Sequence, residues 1–273
     1  MKAATAIGIV VAAVGILGSA FMEGLSPTAF INIPAIVIIM AGTGGVTMAA
    51  VGMERFKAIP ALYKRAFSAE PQELGAKVRE IVAYAERARR EGLLALEDEI
   101  AGVEDEFMRK GLQLVVDGTD PGLVREVLDA EIDAMHARHK AGWGVFEKAG
   151  GFAPTMGIIG TVMGLVHVLQ NLAAPETLGP SISAAFIATL VGVGSANVVF
   201  LPVANRLKAL SEEELDGRTL VVEGILAIQS GDNPRVVAEK LISFVPPAER
   251  DLDEGDSGPA LQAVDGGAEA QAA

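Results

Sequence analysis

Between Gly150 and Val203 the chain carries two apolar runs of membrane-spanning length, joined by AAPETLGP, and neither run contains Asp, Glu, Lys or Arg. Lipid offers the backbone no hydrogen bonds, so a pair of this kind can only be a helical hairpin. Each run carries a row of small residues on one helical face: Ala153, Gly157, Gly160, Thr161 and Gly164 on the first, and Ala185, Ala188, Thr189, Gly192, Ser195 and Ala196 on the second. In lipid, helices associate through close backbone approach and occasional hydroxyl contacts. The hairpin is therefore built to pack tightly, against itself and against something else.

Two further windows of about 20 apolar residues, Ala3 to Phe21 and Phe30 to Val51, bring the expected number of spans to four. A composition of 51% hydrophobic residues agrees with a membrane class. The first window is read as a retained helix, because no clear small-residue cleavage site follows it and only Lys2 precedes it. With no Cys, the chain has neither a disulfide framework nor a thiolate metal site. Most of the 22 Lys and Arg lie between Arg55 and Lys148, the rest being Lys2 and residues from Arg206 onward. The positive-inside rule then places both termini and the long loop in the cytoplasm. A net charge of -13 argues against nucleic acid as a partner.

The expected architecture is an all-α membrane protein, with a large helical cytoplasmic loop between the second and third of its four transmembrane helices. Residues 1–52 hold helices one and two, the first ending at a turn around Ser26 and Pro27 and the second opening near Asn32 and Pro34. The glycines and hydroxyls from Gly42 to Thr47 form a small polar patch in helix two, read first as helix packing, with a direct part in conduction as the alternative. Residues 53–149 form the loop. Its first strong helix starts at Pro71, buries Leu74, Val78, Ile81, Val82 and Ala85, and stops at Gly92. A second pattern is broken by Gly102 and Gly111. A third, opened by Asp120 and Pro121 with apolar positions Leu123, Val127, Leu128, Ile132 and Met135, continues into the third span. Residues 150–204 hold helices three and four, 205–245 form C-terminal cytoplasmic helices, and the acidic tail 246–273 should be disordered.

The membrane part contains no ionisable residue except His167, which is read as an interfacial ring near the outer surface. An ion carrier normally needs a charged or titratable group at depth, so any carboxylate on an ion path must come from a partner. Thr161 lies about 16 Å from the cytoplasmic end of helix three and Thr189 about 13 Å from the outer end of helix four, near the bilayer middle. The plain reading of each hydroxyl is a bond to its own i−4 carbonyl; a place on an ion path is the sharper one. Pro154 should free a carbonyl one turn earlier in helix three. Simple helix termination fits Pro202 better. His136 and His139 share a helical face, and two such ligands are a weak metal signal next to a solvated surface. Arg89, Arg90, Glu97 and Asp98 suit either a solvated helix surface or a docking site for a charged protein. No nucleophile and base pair is visible at depth, so no enzymatic chemistry and no cofactor are expected.

PAIVIIMAGTGGV, ARREGLLALEDE, APTMGIIGTVMGL and LGPSISAAFIATLVGVGSANVVFLPVANRLK occur in this order. With them the chain resembles the MotA family of flagellar-motor stator subunits, within the wider group that includes PomA, ExbB and TolQ. The resemblance extends to about Pro246. ExbB and TolQ have three spans, so four favour the flagellar branch, with an ExbB- or TolQ-like energiser of an outer-membrane process as the alternative.

The resemblance implies a homopentamer in the bacterial inner membrane around a MotB dimer, whose single membrane helix supplies the ion-binding aspartate. Together they would form an ion channel that turns proton or sodium motive force into torque on the rotor protein FliG. Thr189, Thr161, Pro154 and Pro202 would lie on the ion pathway, and Arg89, Arg90, Glu97 and Asp98 would bind the rotor. The coupling ion, H⁺ or Na⁺, stays open: Thr161 stands where proton-driven members commonly have Ala and sodium-driven members Thr. Val191 replaces a frequent Tyr.

Overall fold

The computed structural model describes residues 2–24, 30–69 and 73–250. The turn at Ser26 and Pro27, Pro71 and the tail from 251 lie outside the described residues. The described chain is helical, without strands: α1 (Lys2–Met22), α2 (Ile33–Val51), α3 (Met53–Lys57), α4 (Ile59–Ser68), α5 (Leu74–Glu91), a 3₁₀ turn (Leu93–Leu96), α6 (Glu97–Ile100), α7 (Glu106–Val116), α8 (Pro121–Gln170), α9 (Pro175–Ser195), a π-helical turn (Ala196–Phe200), α10 (Leu201–Ser230), α11 (Pro234–Ile242) and α12 (Pro247–Arg250). Four of these segments, starting at Ala4, Ile33, Pro121 and Pro175, contain windows long and apolar enough to cross a membrane.

The chain divides into two compact units, residues 1–72 with 127–218, and residues 73–126 with 219–273. In the first unit, α2 starts where its sequence directs: the Asn32 side chain accepts the Ala35 amide at 3.2 Å, and Pro34 sits in the first turn. Ala35, Ile39, Thr43 and Thr47 form its buried face, and α2 packs on α9. The core of this unit outside the apolar spans gathers Ala66 of α4, Trp143 and Phe146 of α8, and Val203, Ala204 and Leu207 of α10. Tyr63 meets Phe146 edge-on at 5.0 Å. Burying these rings contributes about 1.5–3 kcal/mol each.

In the second unit, α5 buries Leu74, Val78, Ile81, Ala85 and Ala88 and packs on α11. It stops at Gly92, whose φ of 88° disfavours any residue with a side chain. Gly111 does not break the chain as expected: it is buried inside α7. The apolar stripe of Phe107, Met108, Leu112 and Val115 outweighs the roughly 1 kcal/mol propensity cost of one glycine. Asp105 caps α7 by accepting the amides of Phe107 and Met108. Along α8 the buried stripe is Val124, Leu128, Ile132 and Met135, and the expected Leu123 is 49% exposed. The helix starts at Pro121 as expected, and Asp120 caps it by accepting the Gly122 amide at 2.8 Å.

α8 passes straight through Pro154 as one helix of 50 residues, as the continuation from Asp120 and Pro121 required. Pro202 does not end a helix: α10 continues to Ser230. The missing proline N–H is absorbed upstream, where the Leu201 amide donates to the carbonyl of Ala196, five residues back. This widened turn relieves the clash between the proline ring and the Val198 carbonyl. At the C-terminal side, Pro247–Arg250 form a further helical turn, and Arg250 Nε donates to the Val245 carbonyl at 2.7 Å. Residues 247–250 of the expected tail 246–273 are therefore helical, and the rest of it lies outside the described residues.

Candidate ion-path site

α8 and α9 meet backbone to backbone. A Cβ at Gly192 would lie 2.7 Å from the Ala153 carbonyl oxygen and 2.9 Å from Gly157 Cα, and one at Gly157 would lie 2.9 Å from the Ala188 carbonyl oxygen. Gly164 approaches Ala185 in the same way. No alanine could replace these three glycines without moving a helix. This approach is what the two rows of small residues are for.

Such closeness brings two hydroxyls together across the pair. Thr161 Oγ1 and Thr189 Oγ1 are hydrogen-bonded. Thr161 Oγ1 also lies 3.1 Å from the Gly157 carbonyl and 3.0 Å from the Ala185 carbonyl. The intrahelical reading thus describes Thr161 only in part. The Ala185 carbonyl, which is the i−4 acceptor of Thr189, is approached by Thr161 from the neighbouring helix. Each hydroxyl has one proton to give, so four oxygens converge on two protons. Both side chains are half-buried. The cluster is polar but uncharged, and no carboxylate of either run stands beside it. It can accept and orient a proton or a partly dehydrated cation; neutralising that charge requires an acid from elsewhere.

The two prolines do not share this cluster, yet the turns they disturb meet each other. Gly150, whose carbonyl Pro154 leaves without its usual donor, packs against Leu201, with 2.7 Å from an ideal Cβ to Leu201 Cδ2. The π-helical turn ending beside Leu201 carried no sequence signal on its own. A proline followed by an uninterrupted helical pattern is the one hint of it. On α2, Thr43 and Thr47 are buried and their hydroxyls have no partner among the described residues, so the patch that sequence assigned first to packing is more polar than packing requires.

Arg89, Arg90, Glu97 and Asp98 are all exposed. They lie at the end of α5 and the start of α6, on either side of the 3₁₀ turn, where Leu94 is 71% exposed. Their neighbours are anchored: Arg87 bonds Glu99, and Tyr84 donates to Glu80 at 2.9 Å. Burial, then the bonded Glu80 carboxylate, holds the Tyr84 phenol well above its ordinary range. His136 and His139 face separate partners. The His136 ring sits edge-on to Trp143 at 5.6 Å, and His139 Nδ1 is 3.1 Å from Ser211 Oγ.

The sequence profile of the MotA/TolQ/ExbB proton channel family matches residues 99–219. Motility protein A of Bacillus subtilis is 37% identical over 92% of this chain and 93% of its own length. The chain belongs to the MotA/TolQ/ExbB proton channel family. The chemotaxis protein PomA of Vibrio alginolyticus is 37% identical over 86% of this chain and 92% of its own length. Among solved structures, that of the flagellar MotAB stator complex from Bacillus subtilis superposes with a TM-score of 0.85, at 37% identity, over 92% of this chain and 98% of that one. A second, the MotAB structure of C. jejuni, gives a TM-score of 0.85 at 29% identity. The all-α fold with four apolar helices is therefore that of the MotA subunits, and the chain is a membrane protein of an ion-coupled family.

Proposed function

We propose that α8 and α9 form one wall of an ion channel that a MotB-type partner completes, and that the assembly is the stator of a flagellar motor. One observation carries this: the Thr161–Thr189 hydroxyl pair joins two apolar runs that contain no carboxylate, so it can act on an ion only beside a borrowed acid. The relatives are motility proteins, which favours this reading over an ExbB- or TolQ-type energiser. In it, a pentamer of this chain surrounds a MotB dimer in the bacterial inner membrane. Residues 53–149 and 205–273 lie in the cytoplasm and the apolar segments of 1–52 and 150–204 cross the bilayer. The partner's aspartate loads and releases the coupling ion, H⁺ or Na⁺, and Thr189 and Thr161 hold it in passage. Pro154 and Pro202 keep the adjoining turns deformable. Arg89, Arg90, Glu97 and Asp98 engage the rotor protein FliG. The chain performs no covalent chemistry and is not an enzyme. An ion crossing 100 mV releases about 2.3 kcal/mol, enough for a small step of packed helices and too little to unfold them.

Purified alone in liposomes, the chain should pass no cations, and together with its MotB partner it should conduct or drive rotation. Conduction by the isolated chain would overturn the borrowed-acid reading. Swimming speed against external sodium, in cells relying on this stator alone, identifies the ion.

A further inference from the structure

A cleft lies between α1 and the junction of the π-helical turn with α10, with a volume of about 460 Å³. Its polar residues are Thr5, Asn197, Asn205 and Arg206, and no carboxylate lines it. Arg206 is 8% exposed, and its Nε has no hydrogen-bond partner. Its ion pair among the described residues is long, 3.5 Å from Nη1 to Glu213 Oε1. A guanidinium this buried is expected to be closely paired and fully hydrogen-bonded, and this one has a long ion pair and a buried Nε without an acceptor. Arg206 is also the first charged residue after the apolar run that ends at Val203. It faces the start of the α1 span, which opens at Ala4. The cleft therefore stands at the boundary between the apolar zone and water, where phosphodiesters of a bilayer lie. Beyond it, α1 exposes Ile7, Val10, Val11 and Val14, a face suited to acyl chains.

We propose that this cleft binds the phosphodiester headgroup of an anionic phospholipid, with Arg206 as the ligand cation and Asn205 and Thr5 as neutral donors. Guanidinium matches phosphate in both charge and fork geometry. The inference rests only on the chain being in a membrane, and is independent of torque generation and of the ion path.

The test is native mass spectrometry of the purified full-length protein, titrated with phosphatidylglycerol and phosphatidylcholine of identical acyl chains. The wild type should retain phosphatidylglycerol at least tenfold better. Arg206→Gln should bring the two lipids to parity. Gly8→Leu fills the cleft while keeping Arg206; an ideal Cβ there meets nothing within 4 Å, so folding is spared. It should lose the preference as well, and decides the matter if Arg206→Gln does not fold. Equal retention of both lipids by the wild type, or an unchanged preference in Gly8→Leu, overturns the proposal. So does displacement of the lipid by millimolar inorganic phosphate, since the occupant would then be a free anion.

Discussion

Single side chains decide most at the α8–α9 contact. Gly192→Ala places its Cβ 2.7 Å from a backbone oxygen, an atom that cannot rotate away, and should destabilise the pair by about 1–3 kcal/mol. Gly15→Ala on α1, where nothing lies within 4 Å, should be neutral, and thermal unfolding of the two variants in one detergent makes the comparison. Thr189→Ala removes one of four converging oxygens and should abolish motility while co-purification with the MotB partner persists; full swimming would take Thr189 off the ion path. The small residues and the two hydroxyls were legible as a face. That Thr161 bonds across the pair was not, because the i−4 rule is local, and only the close approach of the backbones lets a second helix compete for the same hydroxyl.

At the level of elements, α7 depends on its cap. Burial works to raise the Asp105 carboxyl, but the Lys77 ammonium at 2.7 Å and the amides of Met108 and Phe107 outweigh it and hold the group below its ordinary value of 3.8. A carboxyl held low in the folded state stabilises the fold above its unfolded value, and that contribution disappears as pH falls through the folded value. Glu223, also held low against the effect of burial by Lys240 and Arg125, behaves alike below 4.5. Protection of the amides in the first turn of α7, relative to their intrinsic exchange rate, should therefore fall below about pH 4, and Asp105→Ala should cost about 1 kcal/mol at neutral pH with that acid dependence reduced. Capping, the stripe of α5 and the stop at Gly92 follow from local chemistry. Gly111 and Pro202 were misjudged for the same reason in opposite directions of scale. A propensity cost of one residue loses to the apolar stripe it sits in, and a missing amide is repaired by a π turn five residues long.

For the whole molecule, the proposed function requires groups that this chain does not contain. Reversing the charge of Arg90 or Asp98 should lower torque, measured by bead rotation, and the opposite reversal on FliG should restore part of it; no change from either would remove these residues from the rotor surface. Their exposure beside Leu94 suits docking, and exposure alone says nothing of the partner. By itself the sequence determined the class of the fold, the number of apolar helices, the absence of an acid at depth and the continuity of α8 from Asp120 into the apolar zone. Each of these is fixed by composition and by periodicity along the chain, which lipid enforces by leaving the backbone no alternative to the helix. Tertiary structure alone decided which hydroxyls share a bond, how the helix survives Pro202, and that Arg206 is buried with an incomplete set of partners. These depend on distances between residues far apart in the chain, and no local pattern of residues encodes a distance of that kind.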